Sequence, residues 1–437
     1  MKPLCLLVTG LIATSAAWAL DDQDWANWRG PSYSGTSKVT GLAESWSTTN
    51  GVAWSADLPG PSGATPIIVG DRVFVTTTEP QGNLLLLAFD RKTGAKLWEQ
   101  VVGIGSKTVG RNNLAASSPV SDGKIVVCIF GTGDLAAFDL DGKEIWKRDL
   151  GKDYGRFAIM WLYGSSPVID GGRLYVQVLQ RNPMPDDYPF VETKKERESY
   201  ILALDPATGK DLWRHVRATD STKESSESYA TPIPFKGPLG NELLVVGGDH
   251  VSAHKAETGE ELWRARLYEK RDDWYRIVTS PVAYKNLVYA SGPKGQPVVA
   301  VRDGGNGNVT ETNVAWRFTE SPTDWATPAL SGDKLYVLDG QKHVLTRLNA
   351  ETGEKTWAGK LDSDVIWSSP TVADGKVYLI SERGTVVVTT AGDEFKVLSR
   401  AEMGDGPVKS SVAIARGQLF IRTAHKLWCI GKPVPTN

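Results

Sequence analysis

The chain of 437 residues carries 49 Lys and Arg against 51 Asp and Glu, a net charge of −2. That balance leaves no overall basic field, which excludes nucleic-acid recognition by bulk electrostatics. Length alone suggests about three domains at roughly 150 residues each. The 44 glycines, 24 prolines and near absence of helical periodicity point instead to many short strands and turns.

Residues 1–19 read as a secretory signal. Lys2 gives the positive start, Leu4 to Ala17 is apolar but short for a membrane span, and Ala17-Trp18-Ala19 forms an A-x-A cleavage site. Cys5 lies far from that site and is not expected to take a lipid. The expected mature protein is exported, periplasmic or secreted, with no other membrane segment. An arm over 20–50 follows.

From there the chain repeats. A Ser/Thr-Pro step opens each unit at Thr65-Pro66, Ser118-Pro119, Ser166-Pro167, Thr231-Pro232, Ser280-Pro281, Thr327-Pro328 and Ser369-Pro370, with a Pro-less copy at Ser411-Val412. The steps are 42 to 65 residues apart, the length of a four-stranded propeller blade with insertions. Inside a unit, Val- and Tyr-rich runs are bounded by Asp-Gly turns such as Asp374-Gly375, a hairpin signature. Trp98, Trp146, Trp213, Trp263, Trp316 and Trp357 close the units. One blade leaves an apolar face bare, so blades stack around an axis to bury it.

The last unit, Ser410 to Ile430, has room for only three strands. Val52-Ala53-Trp54 resembles the outer strands elsewhere and can supply the fourth. The expected fold is therefore all-β: an eight-bladed propeller over 51–431, closed by an N-terminal strand in the C-terminal blade, with a tail over 432–437.

Cys128 and Cys429 sit in apolar runs of non-adjacent units and read as buried thiols. No metal-spaced Cys/His set is present, and His250 and His254 share a strand face beside no third ligand.

The segments Leu87-Ala-Phe-Asp90-Arg-Lys-Thr-Gly94-Ala-Lys-Leu-Trp98 and Ala203-Leu-Asp205-Pro-Ala-Thr-Gly209-Lys-Asp-Leu-Trp213 resemble the repeat of pyrroloquinoline-quinone (PQQ)-type propellers. That family includes quinoprotein alcohol dehydrogenases and BamB-like exported proteins. Trp25-Ala-Asn-Trp28-Arg-Gly-Pro31 and Phe420-Ile-Arg-Thr423 resemble a narrower group of exported propellers. The resemblance implies the fold, an exported compartment and a girdle of tryptophans between blades, and it implies no reaction.

The turns within hairpins are short and share one face. Length variation falls on the other face, where function tends to sit. Residues just before each opening step are expected to rim the central funnel there: Arg111, Asn112, Trp161, Tyr163, Glu227, Tyr229, Trp274, Arg276, Asp324, Trp325, Trp367 and Lys409. Aromatic planes beside cations, amides and carboxylates suit a flat or sugar-like ligand, or else plug the ring. The excursion Gln180–Ser199 reads as a solvated flap or a docking arm for a protein.

Two functions stay open. One is a binding scaffold for a protein or cell-envelope polymer. The other, implied by the resemblance, is a dehydrogenase using PQQ with calcium. Trp325 or Trp367 would then stack on the small quinone, Asn112, Glu227 and Asp324 would serve calcium and base, and Arg276 and Lys409 would meet the quinone oxygens. An adjacent Cys-Cys pair and a C-x-x-C-H haem motif are both absent from the sequence.

Overall fold

Eight sheets stand around one axis in the computed structural model, which describes residues 20–110, 112–182, 196–270 and 273–435. Each of the first seven blades runs antiparallel from its inner to its outer strand in chain order. The first is built from Ile67–Val69, Arg72–Thr78, Asn83–Asp90 and Lys96–Ile104. The eighth is built from Ala413–Ala415, Gln418–Arg422 and Lys426–Ile430, and Val52–Asp57 pairs on its outside. The expected closure by the N-terminal strand is therefore what holds the ring shut.

Two circles of contacts join the blades. The inner one is made by the Ser/Thr of the opening steps. The backbone N–H of Thr65 donates to Ser118 Oγ, that of Ser118 to Ser166, and so on through Thr231, Ser280, Thr327, Ser369 and Ser411. The N–H of Ser411 returns to Thr65 Oγ1 at 3.1 Å and completes the circle. All eight residues are buried, so these N–H groups would otherwise lack a partner. In seven of the eight steps proline in the next position has no N–H and holds its neighbour extended, which aligns the link; Val412 takes that place in the eighth.

The outer circle is the tryptophan girdle. Each closing indole donates to the next blade: Trp98 to Leu140 O, Trp146 to Pro206 O, Trp213 to Ala256 O, Trp316 to Ala350 O. Trp54 does the same from the eighth blade to Arg91 O in the first. The Thr-Gly turn of the following unit lies against the ring face. A methyl on Gly353, whose φ is +76°, would come within 2.6 Å of Trp316. Glycine is required there by both space and backbone.

The fourth blade departs from the pattern. Gly307–Asn308, in the Gly-rich insertion, adds a parallel fifth strand to its outer edge, and Trp263 is fully buried beneath it. The Trp263 indole bonds Asp303 rather than a carbonyl. The carboxyl of Glu242, also buried, lies beside that of Asp303 next to Gly237. Burial, then the second carboxylate, pushes the Glu242 carboxyl up to about 8.

The segment from Asp21 to Ser37 crosses beneath the ring. Trp25 bridges to Ile68 and Ser121 N–H bonds Ala26 O on one side. On the other, Leu330 N–H bonds Ser34 O and Val372 N–H bonds Gly35 O. Arg29, fully buried, donates to the carbonyls of Pro370 and Pro328. The sequence marked Trp25 to Pro31 only as a family resemblance, and its axial position was not anticipated. Cys128 and Cys429 are buried free thiols in the second and eighth blades. Among the described residues no helix is long and apolar enough to cross a membrane. The expected signal over 1–19 lies outside them.

Two outcomes follow from this packing. Gly353→Ala is expected to cost about 1–3 kcal/mol in urea unfolding through strain and the Trp316 clash. At Glu242 the folded chain keeps a proton that the unfolded chain releases near 4.5. Its stabilising effect is complete below that pH and is lost as pH rises towards about 8. Glu242→Gln should flatten this decline, and an unchanged slope would refute the retained proton.

Candidate functional site

The connections between blades gather at the wide end of the axis, opposite the crossing arm. There Val109, Gly110, Asn112, Trp161, Tyr229, Arg276, Val278, Asp324, Trp325, Trp367 and Lys409 line one cavity of about 450 Å³. Of the residues expected at the rim, Asn112, Trp161, Tyr229, Arg276, Asp324, Trp325, Trp367 and Lys409 are brought together in it. Arg111 lies outside the described residues, as does most of the Gln180–Ser199 excursion.

Three expected rim residues go elsewhere. Tyr163 is buried against Phe157, with ring centroids 4.8 Å apart, and lines a different cavity with Leu114 and Arg156. Glu227 turns behind the funnel wall into an ion pair with Arg181 at 2.7 Å. Trp274 stays half exposed under the Lys223 ammonium, 4.8 Å from its ring. Chain position placed each of these in the right connection, but the side chains follow partners that the sequence does not reveal.

The wall is held from behind. Tyr229 donates to Glu227 at 3.0 Å and accepts from Trp161 N–H. The Trp161 indole donates to Glu224 Oε1 at 2.9 Å, and Arg276 meets the same oxygen at 3.2 Å. Glu224 was not anticipated as part of the site. Its place in a short 3-10 turn, Lys223–Ser226, three residues before Glu227, is the only sequence signal for it. Burial raises the Tyr229 phenol well above its usual range, so it stays a neutral donor. Trp325 and Trp367 stack at 4.2 Å, and the Trp325 indole is fixed on Ile366 O.

These residues were tested against PQQ with calcium, the group implied by the resemblance. Calcium takes about 6–8 oxygen ligands. Glu227 is committed to Arg181, and the Asn112 amide donates to Trp161 O while its oxygen accepts the Asn113 N–H. Asp324 is the only one of the three calcium candidates whose oxygens are left for the cavity, and one of these already accepts the Lys294 N–H. The residues present do not fit a calcium cage, so no step is derived through one.

A second group lies at the seam of the third and fourth blades, where His215 packs edge-on to His254 near Glu261, their ligand atoms within 4.8 Å. The sequence had paired His254 with His250 instead. Arg264 already takes both Glu261 oxygens, and His254 bonds Ser252 and Gly259 O. These contacts make the cluster a seam between blades.

Glu224→Ala releases both Trp161 and Arg276. It is expected to lower unfolding free energy by about 1.5–3 kcal/mol, the range for a hydrogen bond to a charged group, measured by urea titration.

Residues 32–185, 197–310 and 309–416 match the family described as outer membrane protein assembly factor BamB. BamB of Salmonella typhimurium is 23% identical over 386 residues, 68% of this chain and 89% of that protein. A polyvinylalcohol dehydrogenase of Sphingopyxis sp. (strain 113P3) is 27% identical over 250 residues, 49% of this chain but 35% of that enzyme. The crystal structure of quinohemoprotein alcohol dehydrogenase from Comamonas testosteroni superposes with a TM-score of 0.67 at 13% identity, covering 97% of this chain and 82% of that one. At that identity the likeness is one of fold.

Proposed function

Because the chain belongs to the family described as outer membrane protein assembly factor BamB, we propose that it is an exported scaffold that binds a protein or another cell-envelope ligand on its looped face. One observation carries this reading. Trp161, Tyr229, Trp325 and Trp367 converge with Arg276, Lys409 and Asp324 on a single cavity at the centre of that face. Aromatic and arginine side chains in a concave, backed site are the anchors from which binding hot spots are made. The wall is preorganised by Glu224 and Glu227, so little ordering cost remains to be met on binding.

The compartment rests on the reading of residues 1–19 as a cleaved signal, with the mature protein periplasmic or secreted. The ligand suited to the cavity has an apolar or planar body and an acidic group. The dehydrogenase alternative retains the aromatic pair and the two cations, but lacks an assembled calcium set.

Two measurements test the reading. A photo-crosslinker in place of Asp324 identifies the partner in intact cells, and the purified partner is then titrated against Trp325→Ala with Trp367→Ala. Binding is expected to weaken at least about tenfold, and an unchanged affinity would sink the funnel as the site. Tryptophan fluorescence with PQQ and calcium is expected to show no saturable, calcium-requiring quenching. Such quenching would replace the scaffold with the quinoprotein reading.

A further inference from the structure

Below the funnel the axis narrows into a channel of about 140 Å³. Tyr229, Val278, Trp325, Trp367 and Lys409 border both spaces, so the channel opens into the funnel floor. Its wall contains all eight residues of the inner circle: Thr65, Ser118, Ser166, Thr231, Ser280, Thr327, Ser369 and Ser411.

The hydrogen-bond arithmetic of these eight hydroxyls is one-sided. Each oxygen accepts a backbone N–H from the neighbouring unit, at 2.8 to 3.1 Å. A hydroxyl has one proton to give and two lone pairs. Among the described residues, none of the eight gives its proton to a protein acceptor. A circle of buried O–H donors therefore faces a common axis.

A buried cation stands behind the far end of the channel. Trp28 lines the channel, and the Trp28 indole N–H is buried without an acceptor among the described residues. The Arg29 guanidinium lies 5.6 Å from the Trp28 ring and is fully buried. Among the described residues it bonds only carbonyl oxygens, two of them from Pro328 and Pro370, next to the circle residues Thr327 and Ser369, and its Nε has no partner there. Burial lowers this guanidinium to about 9, so it is charged at neutral pH. No carboxylate among the described residues pairs with it. A buried charge without a counter-charge is costly. The donors without acceptors line the channel, and the cation without an anion stands behind its Trp28 wall.

We propose that the axial channel is an anion site of carboxylate size, with the Ser/Thr circle as its donors. Room for about five waters, at about 30 Å³ each, admits a carboxylate group with water beside it. That group is either a small free anion or the carboxylate end of a ligand whose body fills the funnel. The second source rests on the scaffold reading, while the first does not.

The full mature chain is crystallised and soaked in sodium bromide, and formate binding is measured by calorimetry. An anomalous bromide peak on the axis, within hydrogen-bond reach of the circle, is expected. Thr327→Val with Ser369→Ala should weaken formate at least about tenfold. Both changes also remove acceptors for backbone N–H groups, so Thr327→Ser with Ser369→Thr serves as the hydroxyl-retaining partner and should bind within about twofold of the parent. The tripeptide Gly-Gly-Phe is then compared with its C-terminal amide. A preference for the free carboxylate supports the funnel ligand as the source, and equal binding beside tight formate supports a free anion. Water alone on the axis of the parent protein, with no saturable heat from formate, overturns the site whether or not a funnel partner exists.

Discussion

The inner circle of eight hydrogen bonds is the constraint on which the rest of the ring depends. Each strand nearest the axis begins with an N–H that water cannot easily reach, and each is satisfied only by the hydroxyl of the next unit. A single link contributes about 0.5–1.5 kcal/mol net, but an unmade link leaves a buried donor orphaned. No blade is complete without its neighbour. The last link, from Ser411 to Thr65, joins residues 346 apart in sequence, so the circle closes only when the whole chain is in place.

The girdle repeats that logic further out. A bulky ring from one unit needs an empty space in the next, and glycine in the Thr-Gly turn provides it. This explains why Trp and Gly recur together in the repeat. The eighth blade obeys the same rule with Trp54, which comes from the other end of the chain and lies against Gly94. Where the rule is altered, at Trp263, an inserted strand and an acidic residue take over the indole.

Much of this was legible in the sequence because it is periodic. The Ser/Thr-Pro steps, the closing tryptophans and the short last unit gave the blade count and the mode of closure. The connections that form the funnel were legible too, since loop length alternates with face. Side-chain direction was not. Glu227 and Tyr229 are two residues apart, yet only Tyr229 reaches the cavity, because Arg181 lies on the other side of the wall. Tyr163 was drawn into the core by Phe157. The role of the opening hydroxyls was equally hidden, since in one dimension a Ser-Pro step reads only as a turn. Arg29 was legible only as part of a family motif, and nothing marked its role: two of its partners are carbonyls about 300 residues or more away, at Pro328 and Pro370.

The arm that carries Arg29 makes the two ends of the axis unequal. A propeller is by geometry a tube, and this one has a stopper threaded in from its own N-terminus. A solute that enters by the looped face meets Trp28 of that arm in the channel wall, so the two ends of the axis are not equivalent routes. The axis is thus polar, with the open cavity at one end and the arm at the other, and its directionality is set before any partner arrives.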